Sequence, residues 1–148
     1  MNLVRQDLEA LLIASYRSVV GGDLVLVAGG PLYEAPAVVL MHGIEADPVF
    51  CYANLQAQRL WGYTWDAFVH LPSRLSAEPV AREERERLLT RARERGFIDD
   101  YSGIRIARDG SRFHISGVVL WNVVVDGRRH GQAAFFRCWD AIPGAGNG

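Results

Sequence analysis

Residues 50–78 read FCYANLQAQRLWGYTWDAFVHLPSRLSAE and decide the fold class. The segment begins as a short apolar strand, and Asn54 then stands where a helix N-cap would satisfy free backbone amides. Gly62 ends that helix, and Thr64 begins a second short one. A strand followed by two capped helices and a proline-containing loop is typical of a small sheet domain that encloses a ligand. We therefore expect a binding pocket rather than an active site.

The segments on either side extend this pattern. Residues 38–41 are apolar on consecutive positions, which is typical of a strand buried on both faces. Residues 79–95 form a charged helical pattern that ends before a glycine. Three further strand patterns, joined by Asp-Gly turns, follow at residues 97–107, 112–125 and 130–139. The apolar run at residues 24–27 is ambiguous between a strand and an extended loop.

The chain divides into an N-terminal helix, one domain and a tail. Residues 1–22 predict an amphipathic helix whose apolar stripe includes Leu8 and Leu12. This stripe covers either the domain's own sheet or a second copy of the chain, and both interpretations stay open. The domain spans residues 23–140, and residues 141–148, rich in glycine, are predicted to be a disordered tail.

Composition narrows the class of protein. The 148 residues fit one domain, and because 49% of them are hydrophobic, a wholly disordered chain is excluded. A formal net charge of −1 argues against a nucleic-acid surface. No stretch of about 18 apolar residues could span a membrane, and the charged N-terminus does not fit a secretion signal. We therefore predict a cytoplasmic protein without nucleic-acid or membrane partners.

The sequence offers little to support catalysis. It lacks the Gly-x-Ser-x-Gly elbow, a phosphate-binding glycine loop and a cluster of metal ligands. Asp99 and Asp100 are adjacent on a predicted strand, so their side chains point to opposite faces and cannot act together on one substrate. We therefore predict no catalytic residue, no metal ligand and no enzymatic activity.

Arg105 is the most informative charged residue of the predicted strands. It lies mid-strand among apolar neighbours, and a buried guanidinium needs a partner. Asp99 or Asp100 could form a salt bridge with it, an anionic ligand could bind it, or it could occupy an exposed edge. These three interpretations stay open.

Strand alternation assigns the remaining pocket residues. Along the long strand, Phe113, Ile115 and Trp121 share a bulky face, which we place toward the helices and a cavity. In the closing strand, Ala133 and Phe135 share a face. Small residues beside aromatic ones favour a concave site.

Six segments resemble one known family, the MEKHLA domain: YAN (52–54), AQRLW (57–61), LPSRLSAEP (71–79), GFIDDYSG (96–103), WN (121–122) and GQAA (131–134). That family is similar to PAS domains. The resemblance implies an α+β fold with a PAS-like five-stranded antiparallel sheet, helices on one face, and the N-terminal helix in addition. It also implies that the first strand lies between the second and the last.

The PAS resemblance extends to flavin-binding light sensors. Counted from the turn at Gly62, Ser73 stands at the position of their photoactive cysteine, and Arg74 at that of an arginine that contacts the flavin phosphate. A serine cannot form the thiol adduct, so this resemblance excludes their photocycle. Arg105, Ile115 and Ala133 stand where polar side chains would hold the flavin ring.

The cofactor is therefore unknown: flavin is an option that these residues do not favour, and haem is disfavoured because His70 lies in a loop. We predict a sensory module for a small anionic ligand with a signalling or regulatory role, as a homodimer through the N-terminal helix. The alternative is a ligand-free dimerisation module with a filled core. The predicted ligand-binding residues are Phe50, Asn54, Trp61, Ser73, Arg74, Tyr101, Arg105, Ile115, Trp121, Ala133 and Phe135.

Overall fold

The computed structural model describes residues 3–77 and 79–143, with only the backbone described at residues 79–81. The helices are α1 (Arg5–Ser15), α2 (Leu24–Ala28), α3 (Leu55–Trp61), α4 (Trp65–Phe68) and α5 (Pro79–Arg95), with a π-helical turn at Tyr16–Val20 and a 3-10 turn at Ser73–Ser76. The strands are β1 (Val38–His42), β2 (Phe50–Ala53), β3 (Phe97–Ile106), β4 (Arg112–Val125), β5 (Arg128–Phe136) and β6 (Cys138–Ile142). These elements confirm the predicted α+β class.

Side-chain caps define where the short helices begin. Asn54 accepts a hydrogen bond from the Ala57 amide at 3.1 Å, and Thr64 caps α4 in the same way, as predicted. Asp23 accepts from the Val25 amide at 3.0 Å. This cap makes the ambiguous apolar run after it a helix, α2, rather than a strand or loop.

The strands form one antiparallel sheet in the order β2-β1-β5-β4-β3, with the first strand between the second and the fifth as the resemblance implied. The predicted closing strand is divided at Arg137 into β5 and β6, so the described residues form a sheet of six strands instead of five. β6 pairs with the first part of β4 and includes Ala141 and Ile142. The predicted tail at 141–148 therefore began too early, and residues 144–148 lie outside the described residues, as does Glu78.

Gly117 interrupts the side-chain alternation of β4. The ladder between β3 and β4 pairs Gly103 with Ile115 but Tyr101 with Val118. Two steps along β3 thus match three steps along β4, which is a β-bulge. The extra residue is accommodated at Gly117, whose φ of +63° is a conformation that favours glycine.

The bulge changes which side chains of β4 share a face. Phe113 and Ile115 pack with Val118 and Leu120 on the inner face of the sheet, which is covered by α3, α4 and α5. Trp121 packs on the outer face, which is covered by α1 and α2. The prediction that Ile115 and Trp121 share a face was wrong, because it assumed unbroken alternation.

Helix α1 covers the outer face of the domain's own sheet. Leu12 is fully buried there, and Leu8 is nearly so. The Trp121 indole Nε1–H donates to Ser15 Oγ at 2.9 Å, which joins the helix to β4. The structure therefore selects the first interpretation of the apolar stripe. This stripe is therefore not available to a second copy, and a homodimer through the N-terminal helix stays a prediction for the other side of α1.

Candidate ligand-binding site

A small cavity lies between the inner face of the sheet and helices α3 and α5. Its volume is about 50 Å³. A single water occupies roughly 10–15 Å³ on this measure, so the cavity holds a few water-sized groups. Apolar side chains form most of its wall, and its polar side chains are His42, Ser76, Arg85, Tyr101, Arg105 and Gln132.

Arg105 projects from β3 into this cavity and is only 7% exposed. Its guanidinium donates to the Ile104 carbonyl at 2.8 Å and to Tyr101 Oη at 3.1 Å. Within the described part of the chain, no carboxylate lies within 4 Å of it. The salt bridge to Asp99 or Asp100 and the exposed edge position are therefore both wrong.

A second arginine enters the same cavity from α5. Arg85 is 5% exposed and forms an ion pair at 3.2 Å with Glu86, whose side chain is 62% exposed. Burial and the neighbouring Arg105 charge lower the pKa of Arg85 to about 10, so the Arg85 guanidinium still carries its charge at neutral pH. The cavity is thus lined by two buried cations and, among the described residues, by no carboxylate.

His42, at the end of β1, also borders the cavity and is 7% exposed. Its Nδ1 lies 3.0 Å from the Gly43 carbonyl oxygen. A carbonyl can only accept, so Nδ1 carries the proton and Nε2 is an acceptor. Nε2 is buried without a hydrogen-bond partner. Burial lowers the pKa of His42 to about 4, and the charges of Arg85 and Arg129 also lower it. The hydrogen bond to the Gly43 carbonyl and the Glu45 charge act in the opposite direction.

Two side-chain amides hold α5 against the sheet beside the cavity. Gln132 Nε2 donates to the Leu89 carbonyl at 2.7 Å, and Asn122 Nδ2 donates to the Arg93 carbonyl at 2.8 Å. Both amides project from the inner face of the central strands. The position of α5, and of Arg85 on it, is therefore set by two specific hydrogen bonds from the sheet.

The structure brings together six of the predicted ligand-binding residues. The cavity is bordered by Phe50, Trp61, Tyr101, Arg105, Ile115 and Ala133. The methyl group of Ala133 nevertheless packs in the outer cluster, so this residue contributes little side chain to the site.

Asn54, Ser73 and Arg74 do not line the cavity. The Asn54 amide is fully used: it accepts from the Val39 and Ala57 amides and donates to two carbonyls. Ser73 is buried where its amide donates to the Pro48 carbonyl at 2.8 Å. Arg74 points outward, with its Nε 3.2 Å from Asp47 Oδ1.

Trp121 and Phe135 lie on the outer face, where they surround the ring of Tyr16. The bulge explains Trp121. Phe135 lies on the same face for a related reason. It pairs with Val119 in the ladder between β4 and β5, and the bulge places Val119 on the outer face. Neither side chain reaches the cavity.

The sequence interpretation missed Arg85, His42, Ser76 and Gln132. A signal for Arg85 was present: it stands four residues before Leu89 and seven before Ala92, on the buried stripe of a charged helix. His42 directly follows a buried strand segment. No comparable pattern marks Ser76 or Gln132.

The cavity does not fit a flavin. A volume of about 50 Å³ is far below the roughly 300–1,000 Å³ of sites that hold drug-sized ligands. Arg105 and Ile115, which stand where the resemblance implies polar side chains that hold the flavin ring, both line this cavity.

Within residues 3–77 and 79–143, no three metal-ligating side chains form a cluster, and no helix has the length and apolar character needed to cross a membrane. Cys51 and Cys138 are both free, and burial raises the pKa of Cys51 to about 12. Its thiol is therefore protonated at neutral pH and is a poor nucleophile.

Solved structures similar to this chain are PAS and light-oxygen-voltage domains. A PAS domain from Colwellia psychrerythraea has a TM-score of 0.63 and 13% identity, covering 81% of this chain and 98% of that one. A PAS domain from a two-component sensor histidine kinase has a TM-score of 0.56 and 14% identity, covering 74% and 88%. The light-state dimer of the fungal blue-light photoreceptor Vivid has a TM-score of 0.55 and 13% identity, covering 68% and 76%. At these identities the similarity shows the PAS fold alone.

The sequence comparisons give the family. The search of curated proteins returned no match. The model of the MEKHLA domain matches residues 6–141, which is nearly the whole chain. This range contains α1 except Arg5, the six strands except Ile142 of β6, and all the residues that line the cavity. The chain therefore belongs to the MEKHLA domain family.

Proposed function

We propose that this domain is a sensory module that binds a compact anion in the inner cavity and has a regulatory rather than a catalytic role. The observation that carries the proposal is the pair of buried arginines, Arg85 and Arg105, which face one cavity. A buried charge without a well-placed counter-charge destabilises a fold by several kcal/mol. An anion between the two guanidinium groups would remove that cost.

The size of the cavity limits the ligand. About 50 Å³ admits a carboxylate, a phosphate or a similar group with few further atoms. The apolar wall, which includes Phe50, Trp61 and Ile115, leaves little room for a second charged group. We therefore expect a monoanion or compact oxyanion rather than a nucleotide or a peptide.

A regulatory role is supported by where the two arginines originate. Arg105 belongs to β3, whereas Arg85 belongs to α5, which is held to the sheet by the amides of Gln132 and Asn122. An anion that bridges the arginines would therefore add a third connection between α5 and the sheet, beside these two hydrogen bonds. The position of α5 is then the property that a downstream partner would recognise.

The test combines binding with stability. We expect Arg105→Met and Arg85→Met each to weaken anion binding tenfold or more, since a charge-assisted hydrogen bond contributes roughly 1.5–3 kcal/mol. Titration calorimetry with acetate, glycolate, phosphate and sulfate at constant ionic strength measures this. Arg87→Met is the matched control, because the Arg87 side chain lies on the same helix and is 69% exposed.

The ligand-free protein provides a second, independent measurement. Removal of an unpaired buried cation should leave the free energy of unfolding unchanged or raise it by about 1–4 kcal/mol. A loss of stability in Arg105→Met would show that the guanidinium is structurally satisfied. If none of the four anions binds and native mass spectrometry of the cell-purified protein shows no retained molecule, the proposal fails.

The small cavity volume favours one alternative, a ligand-free interaction module with a filled core. Homodimerisation would then have to use the outer side of α1, because its apolar stripe is buried. Light scattering of the purified chain tests that prediction. The cytoplasmic location and the absence of nucleic-acid partners likewise stay predictions.

A further inference from the structure

The acceptor nitrogen of His42 narrows the chemical class of the ligand. Its Nδ1–H donates to the Gly43 carbonyl oxygen at 3.0 Å. The lone pair of Nε2 is therefore left to accept a hydrogen bond from another group. Within the described residues, no backbone or side-chain group donates to this buried atom. A buried acceptor without a donor is destabilising, so the site is suited to a donor that arrives from outside.

Protonation of the ring would not solve this problem. The cations that lower the pKa of His42 are Arg85 from α5 and Arg129 from β5, and the Glu45 carboxylate from the β1–β2 loop opposes them. A second proton on the imidazole would add a third positive charge to a buried region. The ring therefore remains neutral at physiological pH, with Nε2 ready to accept.

We infer that the anion bound between Arg85 and Arg105 carries its own hydrogen-bond donor close to its charge, as a short 2-hydroxycarboxylate does. The carboxylate faces the two guanidinium groups, and the hydroxyl donates to His42 Nε2. This inference rests on the proposed function, and it deepens it by adding a second recognition element. A simple carboxylate would satisfy the arginines but leave the histidine acceptor unpaired.

A pair of isosteric probes isolates this element. Glycolate and propionate have the same charge and nearly the same size, but glycolate has a hydroxyl where propionate has a methyl group. In an apolar cavity without a polar contact, propionate would bind at least as tightly. With the hydroxyl donating to His42, glycolate should bind about tenfold tighter, which is the effect of one well-placed buried hydrogen bond.

The variants are chosen by the geometry of the imidazole. An asparagine amide can reproduce the Nδ1–H donor but does not reach the Nε2 position, whereas glutamine can place an acceptor there. We expect His42→Asn to reduce the preference for glycolate to about one and His42→Gln to retain much of it. Binding is measured by heteronuclear NMR titration at constant ionic strength, which also reports whether each variant is folded.

The outcomes separate the two proposals. If neither probe binds the native protein, both the anion site and the hydroxyl contact fail. If both probes bind with equal affinity, the anion site stands and the hydroxyl contact is overturned. If glycolate is preferred but the preference survives in His42→Asn, His42 is not the acceptor. In the native protein, the imidazole ¹⁵N resonance of Nε2 should move with glycolate and not with propionate, and equal shifts would also overturn the inference.

Discussion

Replacement of Asn54 by aspartate tests how far one buried amide organises the domain. Its Oδ1 accepts from the amides of Val39 and Ala57, and its Nδ2 donates to the carbonyls of Leu32 at 2.9 Å and Ala37 at 2.7 Å. The side chain is fully buried. Asn54→Asp keeps the size and the helix-capping acceptor but removes both donors, so it isolates the two bonds that the cap does not need.

The expected loss of stability follows from these contacts. An ionised carboxylate facing two carbonyls in the core would be protonated instead. Protonation at pH 7 of a group with an ordinary pKa of about 3.9 costs roughly 4 kcal/mol. The protonated acid can donate to one carbonyl, and the other then lacks a donor, which costs roughly 1–3 kcal/mol. We therefore expect Asn54→Asp to lower the free energy of unfolding by roughly 5–7 kcal/mol. The whole free energy of unfolding of a typical domain is about 5–15 kcal/mol.

The pH dependence has a definite sign. The folded state raises the pKa of the introduced acid, so the protonation cost is largest at neutral pH and shrinks as pH falls toward the unfolded value near 4. The difference in the free energy of unfolding between Asn54→Asp and the native protein should therefore decrease to roughly 1–3 kcal/mol at about pH 4. Denaturant unfolding followed by tryptophan fluorescence at both pH values measures this.

Thr64→Ala is the matched control, because Thr64 caps the adjacent helix at an exposed site and loses only an acceptor. It should cost about 1 kcal/mol at either pH. An Asn54→Asp protein within about 1 kcal/mol of the native one at pH 7 would refute the reasoning, since neither lost donor could then matter.

Three further predictions concern the outer face and the histidine. Leu12→Glu should unfold the protein rather than dissociate a dimer, because Leu12 is fully buried; a folded variant by circular dichroism would contradict this. Ser15→Ala should lower the free energy of unfolding by roughly 1–3 kcal/mol, because the Trp121 indole N–H loses its acceptor, and an unchanged denaturation midpoint would argue against it. Burial lowers the pKa of His42 to about 4, so stability should fall as pH decreases from about 6.5 to 4. His42→Gln should flatten that part of the stability curve, and an equally steep curve would assign the effect to another group.

The local chemistry of turns and caps could be predicted from the sequence. Asn54 and Thr64 begin their helices as expected, and the turn at Asp126–Gly127 has positive φ at both residues, 53° and 75°. This is the conformation that Asp-Gly favours between two strands. Such features depend on neighbours in the chain, which is why a single sequence reveals them.

Which residues line the cavity depends on contacts between segments that are distant in the sequence. One glycine in a long strand can be an ordinary residue or a bulge, and this choice decided whether Trp121 belonged to the site. Arg85 lay in a helix whose other charges are solvated, and only the depth of packing separates it from them. Arg74 was assigned to the site from its position in a loop that resembles the family. That position did not reveal that its side chain pairs with Asp47 instead.

The bulge at Gly117 has a consequence for the hollow space itself. Had alternation continued past Ile115, the indole of Trp121 would have projected from the inner face, toward the cavity that Arg85 and Arg105 line. The chain instead shifts phase by one residue, and the largest side chain of β4 becomes an anchor for α1. The cavity is therefore kept open by the bulge in the backbone at Gly117 rather than by a small side chain at its wall. Deletion of Gly117 would therefore close it with a ring that the protein already carries.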